Sequence, residues 1–191
     1  MSSTTQQPST LNATLKRITQ SSEYQQILNR LRSNERVISI SGLVAGSARA
    51  LAIAALQRET GKTFAIVTQS TRDLEPWEMD LRFWYCALAG KESCEREVLV
   101  IPASEADPYS GVSPHAQTLE KRALSLWRLR QHSVDFVLLT SRALARRTVS
   151  PADVEKAGAI LKRDTDYPPE ELVEKLIATG YVREDPVKGV G

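Results

Sequence analysis

Residues 37–56 most constrain the fold: Val37-Ile-Ser-Ile-Ser-Gly42-Leu-Val-Ala-Gly46-Ser-Ala-Arg49-Ala-Leu-Ala-Ile-Ala-Ala-Leu56. The spacing predicts a short β-branched strand (Val37 to Ser41), a glycine-containing turn, and an Ala/Leu-rich helix (Ser47 to Arg58) capped by Gly61. That is the layout of a phosphate-binding loop, whose pattern is G-x-x-x-x-G-K-[ST]. There, backbone N–H groups cradle the phosphates, Lys reaches the outer phosphates and the hydroxyl holds Mg²⁺. Here the layout survives without the chemistry. Counting from Gly42, the second Gly, the Lys and the hydroxyl fall on Ser47, Ala48 and Arg49. Sliding one place puts Arg49 at the Lys, with Ala48 at the Gly and Ala50 at the hydroxyl. Arg is a planar fork on a longer stem and does not replace a compact ammonium inside the loop, and Ala50 offers Mg²⁺ nothing. The loop residues Gly42, Gly46, Ser47, Arg49 and Ala50 are therefore read as a degenerate nucleotide site, with no bound cofactor, no metal and no catalytic residue expected. The alternative is a live P-loop hydrolase that uses Arg49.

The rest of the chain repeats the strand–helix alternation. Further strands are predicted at Thr63 to Thr68, Glu97 to Ile101 and Val134 to Thr140, the last nearly all apolar, as in a parallel strand covered on both faces. A helix is expected over Leu74 to Ala89, burying Trp77, Leu81, Trp84, Tyr85 and Leu88. Another should start at Ser113-Pro114 and run to Arg130, burying Ala116, Leu119, Ala123, Leu126 and Trp127 and leaving Gln117, Lys121, Ser125 and Arg128 outside. Leu15 to Leu31 reads as an amphipathic helix or helix pair. The fold class is α/β, a P-loop NTPase-like parallel sheet flanked by helices. None of the four strands ends in the acid that a nucleotide hydrolase uses to hold Mg²⁺; the last ends in Thr140-Ser141.

Charge marks a boundary. Between Lys121 and Ser150, seven basic residues stand against one acid, Asp135; between Pro151 and Gly191, six stand against nine. Residues 13–150 read as the degenerate P-loop-like domain. Residues 151–191 read as the truncated start of a small inserted α/β domain, with a capping box at Ser150-Pro-Ala-Asp153, a helix, a strand at Ala159 to Lys162, a helix from Pro168 to Thr179, Gly180, and a strand start at Tyr181 to Arg183. About forty residues are too few to bury their own core. Residues 1–12, rich in Ser, Thr and Gln, read as a disordered tail. They carry no basic and apolar signal pattern, no stretch of the chain is long enough for a membrane span, and a cytoplasmic protein is expected. Cys86, inside an apolar helical run, reads as a buried small hydrophobe, and His115 and His132 are isolated. The basic segment reads as a solvated face, the alternative being contact with nucleic acid.

Several landmarks coincide with a known family. Ser41-Gly-Leu43 with Gly46-Ser-Ala-Arg-Ala-Leu51, Asp107-Pro-Tyr109 with Ser113-Pro-His115, Thr140-Ser-Arg-Ala-Leu144 and Leu172-Val-Glu-Lys-Leu-Ile-Ala-Thr-Gly-Tyr181, in this order, resemble the N-terminus of the bacterial transcription-repair coupling factors, over roughly residues 22 to 191. The resemblance implies a module similar to the front of the excision-repair protein UvrB that has lost its ATP site, with an inserted small domain that recruits UvrA. It places the ATP- and Mg-dependent DNA translocase motor and the RNA-polymerase-binding domain further along the chain. The family's UvrA-contacting residues follow Gly191, so none is assigned here. The loop also holds one more residue, in Leu43-Val-Ala45, than the shorter family form.

Overall fold

The computed structural model describes residue 13 and residues 16–103, 115–131 and 134–183. The expected tail, the Asp107–Tyr109 and Ser113–Pro114 landmarks, His132 and the end of the chain lie outside the described residues. Three strands, β1 (Phe64–Thr68), β2 (Val98–Ile101) and β3 (Phe136–Thr140), form one parallel sheet in the order β1-β3-β2. Phe64 pairs with Phe136 and Thr68 with Thr140 on one side of β3, and Val98 to Ile101 pair with Phe136 to Leu139 on the other. The central strand is buried along all five residues. Its uninterrupted apolar run follows, because a strand sandwiched between two neighbours and two helix layers has no face left for a polar side chain.

The helices are α1 (Ser22–Arg32), α2 (Gly46–Thr60), α3 (Thr71–Ala89), α4 (Ala116–Arg130), α5 (Ser141–Ala145), α6 (Pro151–Ala157) and α7 (Pro169–Ala178). A helical break at residues 20–21 precedes α1, whose N-cap Ser21 accepts from the Tyr24 N–H. One layer of the core lies between α2, α3 and the sheet: Ala50, Leu51, Ala54, Leu74, Leu81, Tyr85 and Leu88 pack on Ile66, Val98, Phe136 and Leu138. The expected face of α3 is the one buried. The opposite layer holds Leu99, Ile101, Val137, Leu139 and Ala143 under Leu126 and Leu129 of α4. A third cluster joins Tyr24 and Leu28 of α1 to Ala55 and Leu56 of α2. Short Ala side chains let α2 run close to both neighbours, and its left-handed Gly61 (φ 62°) ends it as the sequence implies.

Four expectations are corrected. Val37 to Ser41 is not a strand: Val37 and Ile40 are exposed, at 71% and 51%, and no ladder partner stands beside them among the described residues. A strand gains its stability from a paired edge, and alternating Ile and Ser without one leave the backbone to water. Ala159 to Lys162 and Tyr181 to Arg183 likewise form no strands, and no edge stands beside them among the described residues. Helix α4 is turned from its expected orientation: Ser125 is buried and donates to Val100 O (2.8 Å), Arg122 donates to Pro102 O (3.0 Å), and Leu119 stands 47% exposed. Arg122, Ser125, Leu126 and Leu129 form the inner stripe, and two hydrogen bonds to β2 carbonyl groups and the adjoining loop outweigh one leucine's burial. Finally, Cys86 is not a free hydrophobe; it is joined to Cys94 in a disulfide.

Residues 151–183 pack on this body through α6. Gly158 lies against Trp127 of α4 so closely that a Cβ there would stand 2.1 Å from the indole Nε1. Ser150 caps α6 by accepting from the Asp153 N–H (3.2 Å) while donating to Asp153 Oδ2 (2.6 Å), and Arg130 pairs with Glu155 (3.0 Å). Neither α6 nor α7 buries a residue, and Val173, Leu176 and Ile177 of α7 are exposed. No helix among the described residues is long and apolar enough to cross a membrane.

Candidate functional site

The carboxyl ends of parallel strands, where helix N-termini converge, are where an open α/β sheet takes its ligands. In this chain that position is a cavity of about 400 Å³ at the end of β1, lined among others by Gly46, Arg49, Thr68, Asp73, Trp77 and Asp80. The loop leading into α2 contributes Gly46 and Arg49 to the lining. Gly42 has a φ of +89°, in the left-handed region that glycine tolerates, and Val44 N donates to Gly42 O (3.0 Å) to close the turn. Ala45 is the N-cap of α2 and has no side-chain oxygen for the first-turn N–H groups.

Each of the five loop residues has a definite fate. Gly46 opens α2 and faces Asp80, whose Oδ2 would lie 3.7 Å from a Cβ at that position. Ser47 is committed: its Oγ accepts from Trp84 Nε1 (2.9 Å). Arg49 bends back along its own loop, donating to Val44 O (3.2 Å) and stacking its guanidinium 5.8 Å from the Trp77 ring centre. Ala50, at the position of the metal-binding hydroxyl in one alignment, is completely buried under the sheet. Gly42 lies apart from the cavity lining. The structure therefore brings Gly46 and Arg49 together at the cavity and turns Ser47 and Ala50 to other uses.

The electrostatics are inverted relative to a phosphate site. A helix N-terminus with no side-chain cap attracts an anion. Here the chain sets its own carboxylate opposite that end, and Asp80 makes no hydrogen bond or ion pair with any described residue. Asp73 lines the same space and accepts from Ser70 Oγ (2.7 Å). Two acids, Asp73 and Asp80, stand against one arginine, Arg49, in the cavity lining. Among the described residues no three His, Cys, Asp or Glu side chains come together as a metal set. The strand-end residue Thr140 is also spent on structure, its Oγ1 accepting from the Ala143 N–H (3.1 Å) to cap α5.

Sequence reasoning did not single out a polar junction at the other end of the sheet. Asp135, at the entry to β3, accepts from Gln57 Nε2 (2.9 Å) and from the Tyr85 hydroxyl, joining α2, α3 and the sheet. Burial, followed by the Asp135 hydrogen bond, holds the Tyr85 hydroxyl well above the usual phenol range. The signal available was the single acid in an otherwise apolar run, Val134-Asp-Phe-Val-Leu-Leu139. Burial also pushes the Tyr24 hydroxyl up to about 12.

The basic segment is partly used internally. Arg122 is tied to Pro102, Arg130 to Glu155, and the Arg122 guanidinium is lowered by burial and by the nearby Arg146.

Two curated proteins are similar to this chain over most of its length. It is 29% identical over 170 residues (88% of the chain) to a transcription-repair-coupling factor from Myxococcus xanthus. It is 26% identical over 175 residues (91% of the chain) to a transcription-repair-coupling factor from Bacillus subtilis (strain 168). The family resemblance read from the sequence motifs is borne out by both. The chain covers 14% of the length of each of these relatives. No family model matches the chain, and no solved structure matches it significantly.

Proposed function

We propose that this chain is a non-catalytic interaction and regulatory module of a transcription-coupled DNA repair factor. On this reading it helps recruit UvrA to a stalled RNA polymerase and restrains an ATP-dependent DNA translocase motor carried elsewhere in the full-length protein. RNA polymerase and double-stranded DNA are then partners of other parts of that protein, and ATP and Mg²⁺ are cofactors of its motor. Similarity to two transcription-repair-coupling factors supports the repair context.

The observation that carries the non-catalytic part is Asp80 facing the α2 N-terminus at Gly46. A phosphate bound there would meet a carboxylate, with Ser47 already bonded to Trp84 and Arg49 folded onto Trp77. The division at residue 150 into a degenerate P-loop-like body and the start of a small domain fits the charge change at that point. The uncovered Val173 and Ile177 side chains of α7 fit a surface that another polypeptide covers.

Two measurements test the proposal. A fluorescent ATP analogue titrated onto the chain with Mg²⁺ should give no saturable anisotropy change up to millimolar nucleotide. Saturable binding at micromolar nucleotide makes the loop live and overturns the non-catalytic reading in favour of a hydrolase using Arg49. The full-length protein should bind UvrA, and substitution of Val173 and Ile177 by Asp should weaken that binding. Unchanged UvrA affinity removes α7 from the recruiting surface.

A further inference from the structure

We infer that Cys86 and Cys94 are a reversible thiol–disulfide couple, a modification site that tightens or loosens the junction between α3 and β2. Eight residues separate them in sequence, and the fold brings their Cα atoms to 6.0 Å, within the span a disulfide bridges. The backbone holds this approach independently of the sulfurs. The Cys86 carbonyl accepts from the N–H groups of Gly90, the left-handed C-cap of α3, and of Lys91; the Cys94 carbonyl accepts from the Val98 N–H that begins β2. Lys91 pairs with Glu97 (2.6 Å) across the same loop. These contacts keep the two ends near each other when the bond opens, so closing it again requires only local motion.

The two sulfurs differ in access. Cys94 is 2% exposed and belongs to the cluster of Leu81, Val98 and Phe136, whereas Cys86 is only partly buried. A small thiol such as reduced glutathione therefore attacks at the Cys86 sulfur. Its thiolate forms a mixed disulfide there and the Cys94 thiolate leaves, taking a proton. A second glutathione then attacks the mixed disulfide, releasing the Cys86 thiol and leaving glutathione disulfide. Two electrons and two protons pass to the protein, and oxidation by glutathione disulfide runs the same steps backward.

The junction has neighbours that register the change. Arg58 of α2 donates to Leu88 O inside the loop closed by the bond, and Lys91 stacks 5.8 Å from the Tyr85 ring. Loosening residues 87–97 thus loosens contacts of α2 and α3 at the end of the sheet opposite the degenerate loop. The inference rests on the proposed repair function only for the compartment: a factor working beside DNA and RNA polymerase meets a reducing thiol pool. Disulfides persisting in such a pool are mostly redox-sensing rather than permanent.

The test uses the 191-residue chain equilibrated in glutathione buffers from fully reduced to fully oxidised, quenched with N-ethylmaleimide in denaturant so that the buried Cys94 is also reached, and weighed intact. The expected result is two maleimide groups at the reduced end, none at the oxidised end, and the same crossover from either direction. The oxidised chain should melt about 5 °C above the reduced one, and amide exchange in residues 87–97 should slow on oxidation. Cys86→Ser should take up one maleimide and lose the dependence of melting on the buffer. Two groups at every ratio, or none at every ratio, overturns the proposal, as does a Cys86→Ser chain that keeps the melting shift. Should that variant fail to fold, amide exchange of the native chain in the two buffers decides alone. Loss of UvrA recruitment leaves these outcomes untouched, and failure of the redox series leaves the proposed function standing.

Discussion

Replacing Asp80 by Asn tests the claim that the chain itself closes its phosphate position. The Asp80 carboxylate lies opposite the first residue of α2, its Oδ2 3.7 Å from where a Gly46 Cβ would stand, and an anion held at that helix end at a separation of roughly 5 Å meets it as a like charge. At an effective dielectric constant near 20, each pair of like unit charges at that distance costs about 3 kcal/mol. The cavity opens to water, so about 1 kcal/mol is a fairer figure after screening. A helix N-terminus offers an anion about 0.3–1 kcal/mol. Repulsion therefore cancels or exceeds attraction in the native loop. Asp80→Asn removes the repulsion at nearly constant volume, and Asp80 has no hydrogen bond among the described residues to lose. Its expected effect is a gain of about 5-fold in affinity for inorganic phosphate, measured at constant ionic strength from the amide shifts of Gly46, Ser47 and Ala48. Equal, saturable shifts in the native chain and the variant would refute the electrostatic argument.

Other consequences are separable. Gly158→Ala puts a Cβ into the Trp127 indole, so the ring or α6 must move; stability should fall by about 1–3 kcal/mol and the tryptophan emission should shift to the red. An unchanged urea midpoint would mean that the α6–α4 contact is not held as described. Tyr85→Phe deletes a donor to the Asp135 carboxylate while Gln57 remains; a loss of about 1.5–3 kcal/mol is expected from urea unfolding, and no loss would show the junction to be slack. The raised Tyr85 and Tyr24 hydroxyls bind their protons more tightly folded than unfolded. Their stabilising effect is complete below about pH 10, the ordinary phenol value, and is lost as pH rises, through about 12 for Tyr24. Stability measured from pH 9 to 12 should fall monotonically, and less steeply in Tyr85→Phe.

The elements legible in the sequence were those whose signal is local or whose burial is total. Phe136 to Thr140 needed no context, since five consecutive residues without an exposed face admit few placements other than a central strand. Gly61 and Ser150 announced their helix ends by backbone freedom or a hydroxyl at the right offset. Val37 to Ser41 carried equally good local propensity and failed, because a strand exists only where an edge receives it, and pairing is not written in five residues. The orientation of α4 was misjudged for a related reason. A serine counts as outward by polarity, yet Ser125 faces inward because a β2 carbonyl, Val100 O, waits there for its proton.

The loop between Gly42 and Ala50 shows the same division at the level of chemistry. Its departures from the phosphate-loop pattern were countable in sequence: no Lys, no second Gly at the required offset, no hydroxyl at position 50. What surrounds the loop was not, because Asp80, Trp77 and Trp84 lie on α3, some thirty residues away, and their arrival depends on how α2 and α3 pack. The loop itself is exposed, so its N–H groups can be met by water, while the Arg49 guanidinium lies against Trp77. Trp77 and the Val44 carbonyl meet the guanidinium, and the Asp80 carboxylate stands near the α2 N-terminus without hydrogen-bonding it. Reverting the loop to Gly, Lys and Thr alone would therefore not restore nucleotide binding. A chain with the rebuilt loop and native Asp80 should still fail to bind an ATP analogue at micromolar concentration, whereas the rebuilt loop combined with Asp80→Asn should gain measurable affinity. Equal binding by the two would show that the chemistry was lost in the loop alone, and that the acid facing it came to rest there without consequence.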